Sequence, residues 1–302
     1  MAEVKVAKKK IDETTGEVKR RGQLASIWFR FCKNKMALLG LIIFLTMCVI
    51  AFVAPLILDF DADIITQSVA ERFQGPSAHH IFGTDQFGRD IFKRLLWGAR
   101  TSMFVGIGVV CISLGGGAII GCITGYYEGS IIDNVLMRFC DMFLAIPGTL
   151  LAIALVSAFG NSIPNLMLAL GISTMPKMSR IVRSSVLSLK NQEFVEAAIS
   201  CGTSDARIMY RHILPNAVGP MSVEGTLSVA RSIISVASMS FIGLGIQPPN
   251  PEWGAMLSEA KTQMINYPYL VYAPGLAIVL TVMALTLIGD GLRDALDPKM
   301  KN

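Results

Sequence analysis

Stretches of twenty or more residues with almost no charge recur along the chain, separated by shorter polar segments. A bilayer core about 30 Å thick needs roughly 20 apolar residues per helical span, so each such stretch is a candidate crossing. Met36–Leu58 holds no charge and would reach roughly 34 Å at about 1.5 Å per residue. The same pattern predicts spans at Ser102–Gly125, at Val135–Phe159 with Arg138 and Asp141 in its first turns, and at Ile163–Pro176 extending toward Arg180. Met221–Gly245, carrying Glu224 and Arg231, and Tyr269–Gly289 complete the set. The expected fold is an all-α integral membrane protein with six transmembrane helices, which places both termini on one side.

The polar segments carry their own patterns. Residues 1–22 are polar and mixed in charge, and read as a mobile tail. Residues 59–100 form a loop in which, from Asp90, the apolar Ile91, Leu95 and Leu96 alternate with Lys93, Arg94 and Arg100 at helical spacing. That spacing predicts a short basic amphipathic helix lying in the interface. Gly117, Gly121 and Gly125 recur every four residues and would let a second helix approach closely, placing the second span at the centre of a bundle. Between the fourth and fifth spans, a helix from about Gln192 is expected to end at Gly202. A second helix begins at Thr203 or Ser204 with Asp205 in its first turn, and Pro215 is expected to break the path before the fifth span. Two short helices at a sharp angle make a rigid knob that can transmit a push from a soluble partner.

Composition agrees with a membrane solvent: 52% of the residues are hydrophobic, 16% are charged and the mean hydropathy is +0.54. Charge then suggests an orientation, because Lys and Arg concentrate in cytoplasmic segments. Residues 1–35, the segment from Lys177 to Arg211 and the C-terminal tail are the basic ones, which predicts cytoplasmic termini. Arg89–Arg100 runs against the rule. The first apolar run is too long and starts too late for a cleaved secretory signal. The six cysteines form no C-x-x-C pair and read as small buried residues. The net charge of +5 resides mostly near the N-terminus, where it suits anionic headgroups, and no nucleic-acid partner is expected.

Candidate chemistry is sparse. Glu224 and Arg231, seven apart, share a helix face. They either line a water-filled path for a zwitterionic solute, or Glu224 meets water at the cytoplasmic end while Arg231 pairs with a neighbouring subunit. The other spans offer no central ionisable residue, which argues against a proton-coupled carrier. No G-x-x-x-x-G-K-[ST] motif occurs, so no phosphate-cradling loop of that kind is present. No Ser/Lys, paired-Asp or His cluster lies within a span, which argues against an intramembrane enzyme. The adjacent His79 and His80 alone make a poor metal site. A self-sufficient channel or secondary carrier is the alternative reading, and it predicts uptake without an ATPase.

Glu196-Ala197-Ala198, three residues, Gly202, then Leu214-Pro215 resembles the EAA loop of permeases in binding-protein-dependent ATP-binding-cassette importers. His212 stands where the general pattern has a hydrophobic residue, with Ile213 beside it, and Arg211–Asn216 resembles the peptide-permease version. Phe82–Arg100, Pro248–Leu257 and Gly289–Pro298 are similar to the second permease of dipeptide and oligopeptide importers, so that only residues 1–22 lie outside the likeness. The resemblance implies a type I importer transmembrane domain whose 101–298 core includes a coupling loop at 188–216, preceded by a 23–58 segment with the first helix and followed by a 299–302 tail. It implies coupling to an ATPase through Glu196, Ala197, Ala198, Gly202, Leu214 and Pro215, a second homologous permease, two ATPase subunits that bind ATP and Mg2+, and an extracytoplasmic solute-binding protein. Asn250 and Trp253 are the candidate contacts for that binding protein. The chain itself would hold no cofactor and sit in the bacterial inner membrane.

Overall fold

Asn34 starts the first long helix. Its side-chain oxygen accepts from the amides of Met36 and Ala37 at 3.1 and 3.2 Å, pairing two donors that a first turn leaves open. It thereby separates α1 (Gln23–Lys33) from α2 (Lys35–Ile57). The computed structural model describes residues 23–296, and these contain no strand, only an isolated bridge between Thr84 and Asp90. The two predicted tails, with Asp297 and Pro298, lie outside the described residues.

A π-turn at Phe60–Ile65 and a 3-10 turn at Val69–Glu71 lead to α3 (Ile91–Tyr126), a continuous helix of 36 residues whose N-cap, Asp90, accepts from the amide of Lys93. The expected interfacial helix at Asp90–Arg100 is therefore the opening of α3, with no proline or cap to divide it from the span. The expected third span divides into α4 (Ile131–Leu144) and α5 (Gly148–Phe159), bent by 92°. Pro147 causes the break, since it disfavours helical backbone at Ile146 and donates no amide hydrogen bond. The fourth, α6 (Ile163–Lys190), runs far beyond Arg180. After α7 (Glu193–Ser200), α8 (Leu214–Phe241), α9 (Trp253–Ala260) and α10 (Tyr269–Leu296) complete the described chain.

Of these, α2, α3 and α10 are long and apolar enough to cross a membrane, and the α4–α5 pair adds a fourth if counted as one bent span. The expectation of six is met to that extent. α6 and α8, at 28 residues each, have the length but carry Lys177, Arg180, Arg183, Glu224 and Arg231, together with many serines.

The glycine repeat forms the central seam. A Cβ on Gly117 would lie 2.8 Å from that of Met178, one on Gly121 2.7 Å from that of Val182, and one on Gly125 2.7 Å from that of Val186. The partners advance together, so α3 and α6 run parallel at near-backbone contact. At the end of the bundle reached by Tyr126, Leu296 packs beside Gly219, and Asn34 donates to Asp294 at 3.3 Å. Both ends of the described chain therefore lie at the end that also holds α7. The opposite end is closed by α9 and the 59–90 loop.

Candidate functional site

At the α7 end, Val195 and Ala198 are buried against Ile208, Ile213 and Val182. Gly202 adopts φ +75°, a left-handed conformation that glycine reaches without a Cβ penalty. The amide of Thr203 donates to Ala198 O at 3.1 Å and that of Gly202 to Ile199 O at 2.8 Å, so both hydrogen bonds of a Schellman cap close the helix. The chain re-enters helix at Asp205–Arg207 and passes through a π-turn, Ile208–Ile213, directly into α8. Contrary to the sequence expectation, Pro215 does not break this path. It stands where the π-turn passes into the first turn of α8, and the helix continues through it.

Asp205 fastens the knob to α3, accepting from the Tyr126 hydroxyl at 2.8 Å and from the Tyr127 hydroxyl at 3.0 Å. That hydrogen bond to a carboxylate raises the Tyr127 phenol above its usual pKa, so it remains a donor at every physiological pH. Of the residues predicted to couple, Glu196, Ala197, Gly202 and Pro215 are exposed, whereas Ala198 is buried and Leu214 half-buried. Sequence reasoning overlooked the exposed apolar Phe194 and Ile199, which flank Glu196 and Ala197, and Tyr210 in the π-turn. Their signal was present as apolar residues in an otherwise polar loop.

Midway along the bundle, α3, α6, α8 and the start of α5 line a partly open cavity of about 520 Å³. Glu224 and Arg231 both line it, as do Lys177, Ser228, Ser235 and Ser238. The two charges do not stand apart to receive a zwitterion. Arg231 donates to Glu224, and Lys177 approaches the same carboxylate at 3.8 Å.

At the opposite end, Asn250 is exposed but Trp253 is only 1% exposed. Its ring therefore cannot offer a contact to a binding protein, which corrects the sequence expectation. Trp253 Nε1 donates to Leu95 O at 3.2 Å, and the ring packs beside Gly98. The fully buried Glu252 accepts from Ser102 at 3.1 Å and caps α9 through the Ala255 amide at 2.9 Å. Nearby, Arg89 donates to Asp85 at 2.7 Å and Glu259 at 2.8 Å, and Arg94 reaches the same two carboxylates at 2.7 and 2.8 Å. Two cations thus face two anions. His80 meets Asp90 at 2.8 Å.

Comparison with known proteins follows this division. Residues 117–302 match the family described as binding-protein-dependent transport system inner membrane component. Residues 22–76 match the N-terminal TM domain of oligopeptide transport permease C. A dipeptide transport system permease protein, DppC, from Alkalihalophilus pseudofirmus is 46% identical over 270 residues, covering 89% of this chain and 88% of that protein. A glutathione transport system permease protein, GsiD, from Pectobacterium atrosepticum is 44% identical over 276 residues, covering 91% of each. Among solved structures, an inward-facing MetNI methionine ABC transporter chain aligns with a TM-score of 0.55 at 16% identity. The alignment covers 68% of this chain and 97% of that one, a likeness of fold.

Proposed function

The chain belongs to the family of binding-protein-dependent transport system inner membrane components, and from that premise we propose that it forms half of a translocation path for di- and oligopeptides or a related small solute. It is a permease subunit of an ABC importer, an inner membrane protein and not itself an enzyme. The peptide reading is supported by the relatives named for dipeptide and glutathione transport. A second, homologous permease supplies the other half of the path. Two ATPase subunits bind ATP and Mg2+ below the α7 knob, and a solute-binding protein delivers cargo at the α9 end near Asn250. Both termini and the knob then face the cytoplasm. On this orientation the basic residues 89–100 remain an exception to the charge rule, with Arg89 and Arg94 paired to Asp85 and Glu259.

The observation that carries this reading is the unbroken connection from knob to cavity. A push on Glu193–Ser200 passes through the Schellman turn and the π-turn into α8, the helix that presents Arg231 and Ser235 to the cavity. The exposed Phe194 and Ile199 give the ATPase an apolar surface around Glu196 and Ala197, while Gly202 shapes the turn. Leu214 and Pro215 begin the helix that moves.

The test is a double variant, Phe194→Asp with Ile199→Asp, made in the complete importer. The permease should still insert and pair with its partner, while the ATPase subunits no longer co-purify and ATP-driven uptake is lost. Co-purification and uptake at the wild-type level would remove the knob from the coupling surface.

A further inference from the structure

Two hollows lie along α6. Lys177 faces the 520 Å³ cavity, and Arg180, one turn further on, faces an open cleft of about 660 Å³ between α4 and α6. The cavity holds Lys177 and Arg231 against the single carboxylate of Glu224. The cleft holds Arg138, Arg180 and Arg183 against Asp133 and Asp141. Each hollow therefore carries one positive charge in excess. The hydroxyls between these groups add no charge, and several donate to their own helix: Thr174 to Leu170 O, Ser235 to Arg231 O, Ser238 to Ile234 O.

The ion pairs differ in kind. Arg183 grips the buried Asp133 with two hydrogen bonds of 3.0 and 2.9 Å, and Asp133 also accepts from the Gly129 amide, so this pair is a strut between α4 and α6. Arg180 and Asp141 meet through one contact and remain 53% and 41% exposed. Lys177 is 57% exposed and stands beyond hydrogen-bonding distance of Glu224. Arg138 is exposed and has no ion pair among the described residues. Exposed pairs contribute roughly 0–1 kcal/mol, so they exchange partners at little cost.

We infer that these cations form a carboxylate relay: a carboxylate of the cargo joins Glu224 on Lys177 and Arg231, taking up the excess positive charge of the cavity, then passes one turn along α6 to Arg180 and Arg138, and the route favours cargo bearing free carboxylates over cationic cargo that lacks them. One cargo carboxylate brings each hollow to neutrality, and Glu224 keeps its own partners throughout. The step from Lys177 to Arg180 is about 4.5 Å of helix rise, within the reach of either side chain. This inference rests on the proposal that the cavity belongs to the translocation path.

The experiment uses the complete importer in proteoliposomes, with Ala-Glu-Ala and the C-terminally amidated Ala-Lys-Ala, which has no carboxylate, as probes. Lys177→Met and Arg180→Gln should each lower the maximal uptake of Ala-Glu-Ala about tenfold while changing that of the amidated peptide less than about twofold. KM should hold steady in both, and Lys177→Arg should restore Ala-Glu-Ala uptake. Equal losses for the two peptides would overturn the relay. So would an Arg180→Gln effect that follows the anionic-lipid content of the vesicles and not the charge of the peptide, which would assign the cleft to lipid headgroups. Ser235→Cys, in a background with Cys111 and Cys201 changed to Ser, tests the underlying path. If a bulky thiol reagent at this position leaves uptake of both peptides unchanged, the path reading fails. If the reagent blocks uptake but Lys177→Met shows no charge preference, the relay alone fails. Wild-type uptake of neither peptide would remove the peptide reading and the relay with it.

Discussion

Gly202 is a single residue whose backbone sets the angle of the knob. No other atom stands near its absent Cβ, so a substitution there meets conformational strain and no clash. A β-branched residue held at φ +75° costs about 1–2 kcal/mol, whereas asparagine tolerates this region better. Gly202→Val should therefore abolish or strongly reduce ATP-driven uptake, while Gly202→Asn retains most of it and both variants insert normally. Equal uptake by the two would contradict the role of the turn. The role proposed for Arg231 rests on its charge and not on its backbone. Arg231→Ala should lower the transport rate with the two permeases still associated, and Arg231→Lys should keep more activity. Loss of association in Arg231→Ala would make the residue an interface contact. The sequence exposed both residues by simple signals, a glycine between two polar helix starts and a charge in an apolar run. It could not reveal that Arg231 is already occupied by Glu224, nor that Trp253 is enclosed, because both depend on which side of a helix meets which neighbour.

At the level of elements, apolarity located the cores of the spans because lipid demands it of every residue on an exposed face. It did not locate their ends. α3 incorporates the basic turns after Asp90 since Glu259, 165 residues away from Arg94, arrives to balance them. No local pattern announces such a partner. The proline bend between α4 and α5 was written in Ala145-Ile146-Pro147, but an apolar run on both sides concealed it. The loop of residues 59–90 is fastened to α3 partly by Lys93, whose Nζ lies 2.6 Å from Asp63. The hydrogen bond from Lys93 lowers the Asp63 pKa, and the Asp59 amide adds to this. A depressed carboxylate stabilises the fold above its ordinary pKa and loses that contribution as pH falls through the lowered value. Hydrogen-exchange protection in this loop, referred to the intrinsic rate at each pH, should accordingly fall below about pH 4, and Lys93→Met should remove most of that pH step. Protection that is unchanged from neutral pH to below about pH 3 would exclude the pair as an anchor. The Asp85–Arg89–Arg94–Glu259 cluster is more deeply enclosed. Glu259→Gln leaves two buried guanidiniums with one carboxylate and should destabilise the purified subunit by about 3–5 kcal/mol, read as a lower midpoint of thermal unfolding.

At the scale of the whole molecule, one bundle joins two ends. The knob continues into α8, α8 walls the cavity, and the charged cluster holds α9 and the loop of residues 59–90 against the start of α3. On the proposed function such a subunit opens and closes a path without supplying energy, and its transport depends on ATPase partners and a second permease. Delivery at the α9 end predicts that Asn250→Cys forms cross-links to the binding protein during turnover. An impermeant thiol reagent should reach it from the extracytoplasmic side, and labelling from the cytoplasm alone would invert the orientation. The most direct test of the central claim is peptide uptake into proteoliposomes containing this chain and its partner permease, with and without the ATPase subunits. The account predicts accumulation only when the ATPases, the binding protein and hydrolysable ATP are all present. Sustained uptake by the two permeases alone, driven by an ion gradient or by the peptide gradient itself, would contradict it.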